Sequence, residues 1–136
     1  MELSLERPGD HLFVRSVSES GIRVGERTYE TSLILSARDL ITDWPVALPA
    51  DLDEDRIEPI FGLEPEVVLL GTGALQVFPD PQLMMCFHRR GVGIEVMTTA
   101  AACRTFNVLI SERRNAVAAL LPPAARPESH RSRTPG

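Results

Sequence analysis

The chain has 136 residues, 43% of them hydrophobic, and a formal net charge of −5 at pH 7. This length supports one hydrophobic core, so we predict a single domain over 1–121 and a disordered Pro/Arg-rich tail over 122–136. The acidic balance argues against nucleic acid as a partner, because that binding needs a cationic surface, and the absence of Lys excludes P-loop and Schiff-base chemistry.

The N-terminal third alternates polar and apolar residues with period two. Three β-branched runs separated by turn residues occupy 12–35, the last of them being 28–35. This pattern predicts a small antiparallel β layer. Trp44-Pro45 then breaks regular structure, and we expect Trp44 at the edge of the core.

Residues 51–66 are strongly acidic, with seven carboxylates against one basic residue, Arg56. They surround a short predicted helix that Asp51 is expected to cap and Pro59 to limit. Such a composition is typical of a solvated helix face. The alternative is an electrostatic docking strip for a basic partner.

The segment 67–121 carries the strongest pattern. An apolar run at 67–70 closes with Gly71-Thr72-Gly73, and a second run at 94–97 closes with Thr98-Thr99 and a helix. Alternating strands and helices predict an α/β fold in which helices cover a mostly parallel sheet. Ligands of such sheets bind where strands end and helices begin, which makes both junctions candidate sites.

Gly71-Thr72-Gly73 matches only part of the G-x-G-x-x-G turn that binds dinucleotides. The third glycine position is Gln76, and the next helix is expected at Pro81, behind Asp80 as its N-cap. A pyrophosphate would therefore have no helix N-terminus to bind. We predict no cofactor, and the three scattered histidines predict no metal site.

The Thr98-Thr99 junction is the second candidate. With Thr99 as N-cap, the third helical position is Ala102, which has no side chain to reach back to the cap. Several backbone N–H groups of the first turn would then be open to an anion. The small side chains of 100–102 suit a ligand, or equally the close packing of the helix on a strand.

Helical geometry divides the rest of this helix, at about 100° per residue. The residues that should face the sheet are Ala102, Cys103, Phe106, Leu109 and Ile110. A polar stripe beside them consists of Ala100, Arg104, Asn107 and Ser111. This stripe suits a carboxylate or phosphate, and it also suits a hydrogen-bonded seam or a subunit contact.

Two further side chains have open interpretations. Cys103 lies near a helix N-terminus and beside Arg104, which favours a reactive thiol, but no histidine is placed by sequence as its base and a buried core cysteine is the commoner case. Glu95 is either an acid/base or a polar contact at the sheet. No catalytic residue is assigned, and the candidate ligand-binding residues are Gly71, Thr72, Gly73, Glu95, Thr98, Thr99, Cys103, Arg104 and Asn107.

Gly71-Thr72-Gly73 and the stretch from Gly91 to Leu109 resemble a family of unknown function, and 32–36 and Trp44-Pro45 also fit. This family includes mitochondrial NADH dehydrogenase (complex I) assembly factor 3 and an adipogenesis-associated protein, with many bacterial and archaeal members. The resemblance implies a three-layer α/β fold with a mixed central sheet, mostly parallel with one antiparallel strand, and a small N-terminal β layer. It implies no established catalytic activity, and the mitochondrial relatives act by binding partners during respiratory-complex assembly.

These patterns favour a non-catalytic interaction or assembly-factor-like protein with an unidentified protein partner over an enzyme. The alternative is a small-anion or small-ligand binding protein, or an enzyme, with a site near Gly71–Gly73 and Thr98–Asn107. Two cysteines without a CxxC pair, no signal-peptide pattern and no apolar run of roughly 18 residues predict a cytoplasmic bacterial protein without membrane insertion.

Overall fold

The computed structural model describes residues 11–127. The strands are β1 (Val14–Ser18), β2 (Gly21–Val24), β3 (Arg27–Tyr29), β4 (Leu33–Leu35), β5 (Leu40–Ile41), β6 (Val67–Gly71), β7 (Gly93–Met97) and β8 (Ala116–Leu120). They form a small antiparallel sheet in the order β1-β2-β3 and a five-stranded sheet in the order β5-β4-β8-β6-β7. The helices are α1 (Glu54–Phe61), α2 (Pro81–Arg89) and α3 (Thr99–Ser111), and a single 3₁₀ turn, Pro49–Asp51, precedes α1.

The five-stranded sheet is mixed. Strand β6 pairs in parallel with both β7 and β8, whereas β4 pairs antiparallel with β8 and with β5. Strand β4 therefore runs against its neighbours. The predicted α/β class with a mixed sheet is confirmed.

The third β-branched run was predicted as one strand of the small layer, and this prediction is wrong. Strand β3 ends at Tyr29, and Leu33–Leu35 pairs with β8 in the central sheet, with Leu33 opposite Leu120. All three residues of β4 are fully buried. A continuous apolar run is typical of a strand covered on both faces, whereas the small layer has the alternating pattern of a half-exposed sheet.

The start of α1 also differs from the prediction. Its N-cap is Asp53, whose side chain accepts a hydrogen bond from the Arg56 N–H at 2.8 Å. Asp51 instead accepts from the N–H groups of Ala47 and Leu48 at 3.1 and 3.0 Å, which holds the 3₁₀ turn. Pro59 lies inside α1 rather than at its end. One proline in a short helix removes a single hydrogen bond, and the packing of the apolar face compensates for it.

Helices cover both faces of the central sheet. Helices α1 and α2 pack on one face, where Phe61 contacts Phe87 with ring centroids 4.9 Å apart. Helix α3 and the small sheet pack on the other, around Phe106. Trp44 is 4% exposed and donates from Nε1 to the Arg56 carbonyl at 2.8 Å, so it lies within the first core cluster. None of the helices in 11–127 is long and apolar enough to cross a bilayer.

The segment after β8 returns along the carboxyl ends of the parallel strands. Ala74 donates its N–H to the Ala125 carbonyl at 2.8 Å, which attaches 122–127 to the loop after β6. The predicted tail thus begins against the domain, and residues 128–136, like 1–10, lie outside the described part of the chain. The predicted boundary at 121 stays a prediction.

Candidate functional site

The two junctions selected from sequence meet at the carboxyl edge of the sheet. Helix α3 begins one residue earlier than predicted, because its N-cap is Thr98, whose Oγ1 accepts from the Ala101 N–H at 3.2 Å. Thr98 therefore satisfies one of the N–H groups that were expected to be open. The change also turns the next side chain, Thr99, inward toward the loop after β6.

Thr99 is fully buried and joins three segments. Its Oγ1 accepts from the Gly73 N–H at 2.8 Å and donates to the Leu121 carbonyl at 2.8 Å. Its own N–H donates to the Gly73 carbonyl at 3.0 Å. One hydroxyl thus connects the β6 loop, the start of α3 and the end of β8.

The two glycines allow this close approach. A Cβ on Gly71 would lie 2.8 Å from the Thr99 Cα, and one on Gly73 would lie 2.3 Å from the Ala125 carbonyl oxygen. Gly73 also has a φ of +99°, which disfavours any other residue. Thr72 is fully buried between them and accepts from the Val77 N–H through Oγ1 at 3.1 Å. At this junction the protein's own backbone occupies the ligand position of an open α/β sheet.

The polar stripe of α3 borders a groove that is separate from the junction. Cys103, Arg104 and Asn107 border an open groove of about 270 Å³ between α3 and β1. Ala100 lies at the same groove, with 14–17 on its other side. Ser111, the fourth stripe residue, lies at the far end of α3 and donates its hydroxyl to the Val108 carbonyl at 2.7 Å.

Asn107 attaches the small sheet to α3. Its side-chain oxygen accepts from the Val14 N–H and its amide donates to the Val14 carbonyl, both at 2.8 Å. The side chain thereby completes the backbone pairing of β1, which bulges just after Val14. Arg104 is exposed, and its side chain has no hydrogen bond or ion pair within 11–127, so its five donors face the groove or solvent.

Glu95 lies apart from both places. It is exposed in the middle of β7, the edge strand, and borders neither the junction nor the groove. The nine candidate residues therefore separate into a filled junction (Gly71, Thr72, Gly73, Thr98, Thr99), a groove (Cys103, Arg104, Asn107) and one edge position.

Cys103 is 1% exposed. Burial raises the pKa of its thiol to about 12, and the opposing effect of the Arg104 charge is smaller. At pH 8 such a thiol is ionised in roughly one molecule in ten thousand, so the reactive thiolate is essentially absent.

We predict that Ellman's reagent labels no thiol of the native Cys86→Ala variant at pH 8 and one thiol after unfolding in guanidinium. Removing Cys86, which is also buried, leaves Cys103 as the only reporter. Absorbance of the released thiolate measures both values. Labelling of the native variant as fast as that of a free cysteine peptide would contradict the buried, protonated state.

Two features of the surface were not singled out from sequence. Phe78 and Leu75 are exposed in the loop after β6, and a cavity at the other end of the sheet is bordered by Arg113 and Arg114. The signals were present, as an aromatic residue inside a Pro-containing loop and an Arg pair just beyond a helix. Only the fold brings Phe78 close to Leu48 and Pro49, and Arg113 and Arg114 close to His11 and Arg38.

Comparisons with known proteins match nearly all of the described fold. The model of a family described as "Protein of unknown function (DUF498/DUF598)" matches residues 14–121. NADH dehydrogenase [ubiquinone] 1 alpha subcomplex assembly factor 3 of Xenopus tropicalis is 32% identical over 128 residues, covering 91% of this chain and 69% of that protein. A "13 kDa major membrane protein" of Francisella tularensis is 30% identical over 69% of this chain and 76% of its own length.

Among solved structures, the NMR structure of a Xanthomonas campestris protein has a TM-score of 0.78 and 35% identity, covering 93% of this chain and 96% of that one. The chain spans 69%, 61% and 50% of the length of the frog, mouse and zebrafish assembly factors. The family match covers nearly all of the described fold, from β1 to the residue after β8. The chain therefore belongs to the DUF498/DUF598 family, a family of proteins of unknown function.

Proposed function

We propose that this protein is a cytosolic, non-catalytic interaction protein that works like an assembly factor, by binding a protein partner. The relatives from frog and mouse carry the name of an assembly factor and match 91% and 82% of this chain. Two free, buried cysteines suit a reducing compartment. The contact surface is argued from the residues of this chain.

The observation that carries the proposal is an exposed apolar loop between β6 and α2. Phe78 is 65% exposed and Leu75 is 44% exposed, whereas large apolar side chains are normally buried. Phe78 also borders a shallow cleft of about 220 Å³ whose walls include Leu48 and Pro49. An apolar patch with an aromatic residue beside a cleft is typical of protein interfaces.

The loop is held in place before any partner arrives. The Val77 N–H donates to the Thr72 hydroxyl at 3.1 Å, and Gln76 donates from Nε2 to the Val96 carbonyl at 2.9 Å. These bonds fix the two residues that lie between the exposed side chains of Leu75 and Phe78. A preorganised loop loses little conformational entropy on binding, which favours affinity.

The acidic residues that follow the wall of the cleft in the chain indicate the chemistry of the partner. Ala50 borders the cleft, and the exposed Asp53, Glu54 and Asp55 follow it within one turn of α1. Asp53 pairs with Arg56 at 2.8 Å, while Glu54 and Asp55 have no ion pair within 11–127. We infer a partner with an apolar socket for Phe78 and basic residues at its border.

A non-catalytic role is supported by the separation of the reactive side chains. Cys103 is protonated and buried on the α3 face of the sheet, whereas His88 is on α2, across the sheet. His11 lies beside Ile110, about two helical turns from Cys103. A nucleophile needs its base within hydrogen-bonding reach, which none of these positions offers.

Photo-crosslinking tests the loop as an interface. Benzoylphenylalanine is placed at position 78 in one variant and at Val108 in the other, since Val108 is similarly exposed (53%) but lies on α3. We expect one protein of native cell extract to be captured through position 78 and not through 108. The captured protein is then purified for binding measurements.

Binding of that protein by isothermal calorimetry decides the matter. Phe78→Ala should weaken it by about 30-fold, the effect of a central aromatic contact, and Glu54→Lys with Asp55→Lys should weaken it further at low salt. Val108→Ala should leave it unchanged. Equal affinity of Phe78→Ala and the unmodified protein would refute this surface.

A second candidate function, small-anion binding, is favoured by the groove between α3 and β1. Arg104 has no partner there, and Arg15, also at the groove, has none within 11–127. An NMR titration with inorganic phosphate should then shift the amides of 103–107, and Arg104→Gln should abolish the shifts. Unchanged amide positions throughout 100–107 would exclude it.

A further inference from the structure

An open cavity lies at the opposite end of the sheet from the Phe78 loop. It has a volume of about 290 Å³, and among residues 11–127 its lining has three arginines, one histidine and no carboxylate: Arg38, Arg113, Arg114 and His11. They come from the start of the described chain, the β4–β5 turn and the end of α3. In a chain of net charge −5, such a concentration of basic side chains is unexpected.

Helix α3 ends in a turn that places Arg113 in an unusual backbone conformation. The Arg113 N–H donates to the Ile110 carbonyl and the Arg114 N–H donates to the Leu109 carbonyl, both at 2.9 Å. These are the two bonds of a Schellman motif, which puts the residue after the C-cap in the left-handed conformation. Arg113 accordingly has a φ of +63°.

Helix α2 ends with the same motif but a different residue. Gly91 and Val92 donate to the carbonyls of His88 and Phe87, both at 3.0 Å, and the left-handed position is Gly91, with a φ of +73°. Glycine adopts this conformation at no steric cost, whereas for arginine the conformation is strained because of its Cβ. The helix end itself would be better served by glycine at position 113, so we look for a role of the arginine side chain.

One of the arginines at the cavity, Arg114, is held in position by hydrogen bonds. Glu66 accepts from Arg114 at 3.1 Å and from the Asn115 N–H at 3.3 Å, so Arg114 is anchored beside the opening. These bonds lower the pKa of the Glu66 carboxyl, first the one from the Asn115 backbone and then the one from Arg114. The guanidinium of Arg113, by contrast, has no hydrogen bond or ion pair with any residue of 11–127.

We propose that this cavity binds a small oxyanion, the phosphate or carboxylate group of a small molecule, with Arg113 as its principal ligand. The guanidinium fork of Arg113 matches the paired oxygens of either group. Arg114, which is already paired with Glu66, adds positive charge beside it. The volume suits a compound of few atoms, since it falls at the lower limit of ligand pockets. The site is separate from the proposed protein interface, so either can fail without the other.

The test is a titration of the full chain with inorganic phosphate and, separately, with citrate, at ionic strength held constant by sodium chloride. Saturable binding should shift the amides of 111–114 in NMR spectra and raise the melting temperature. The stronger of the two ligands identifies the group that is recognised. No saturable binding of either anion would overturn the proposal.

The decisive variant is Arg113→Gly. It should reduce affinity by at least about tenfold, while the ligand-free protein melts at the same temperature or higher because glycine suits the left-handed position. Arg113→Gln should lose the same affinity without that gain, and Arg27→Gln, on the exposed β3, should behave like the unmodified protein. Unchanged affinity of Arg113→Gly, or loss only with Arg104→Gln, would refute this site.

Discussion

Thr99→Val is expected to lower the free energy of unfolding by about 2–5 kcal/mol, although the two side chains have nearly the same shape. The hydroxyl of Thr99 accepts from the Gly73 N–H and donates to the Leu121 carbonyl, and all three residues are buried. Valine would leave a donor and an acceptor unsatisfied away from water. Each such group costs roughly 1–3 kcal/mol.

Thr105→Val is the matched control for Thr99→Val. Thr105 is in the same helix and half-buried, but its side chain makes no hydrogen bond with residues of 11–127. Urea unfolding followed by the fluorescence of Trp44, the one tryptophan of the chain, measures both variants. Equal loss of stability in the two would mean that the hydroxyl network does not hold the junction together.

Gly73→Ala is expected to lower the free energy of unfolding by about 2–4 kcal/mol, because the new methyl group has no space and the backbone does not suit it. The Cβ would lie 2.3 Å from the Ala125 carbonyl oxygen and 2.9 Å from the Ala125 Cβ. The returning segment 122–127 would have to move. Amide exchange at Ala74, which donates to Ala125, should then become faster.

Gly91→Ala separates the effect of the positive φ from the effect of close packing. Gly91 also has a positive φ, +73°, but a Cβ there would meet no atom within 4 Å. This variant should lose only the conformational term, about 1 kcal/mol. If Gly73→Ala and Gly91→Ala unfold at the same urea concentration, close packing at the junction contributes nothing and the filled-site interpretation fails.

Local signals were sufficient for most elements of the C-terminal half. Asp80 and Pro81 start α2 as predicted, with the Asp80 side chain accepting from the Gln82 N–H at 2.8 Å. The face of α3 that was expected to pack on the sheet is the buried one, centred on Phe106. Caps and helical periodicity depend on residues within four positions of one another, so they can be predicted from local sequence alone.

The candidate site was less accessible to sequence reasoning. The two junctions do lie together, because parallel strands end at one edge, but what fills them is Leu121 and Ala125, more than twenty residues beyond Thr99. Likewise, β4 was misassigned because its partner, β8, is over eighty positions away. A polar stripe on a helix looks the same in sequence whether its amide binds a ligand or, as for Asn107, a neighbouring strand.

Composition, apolar runs and turn residues by themselves determined the α/β class, the order of strands and helices from β6 to β8 and the family resemblance, because these are short-range properties or direct matches of residues. Only the tertiary structure decided that the strand–helix junction is occupied by backbone, that the Cys103 thiol is buried and protonated, and that distant arginines share one cavity. Burial and proximity arise from contacts between segments far apart in the chain, and local sequence does not encode their distances.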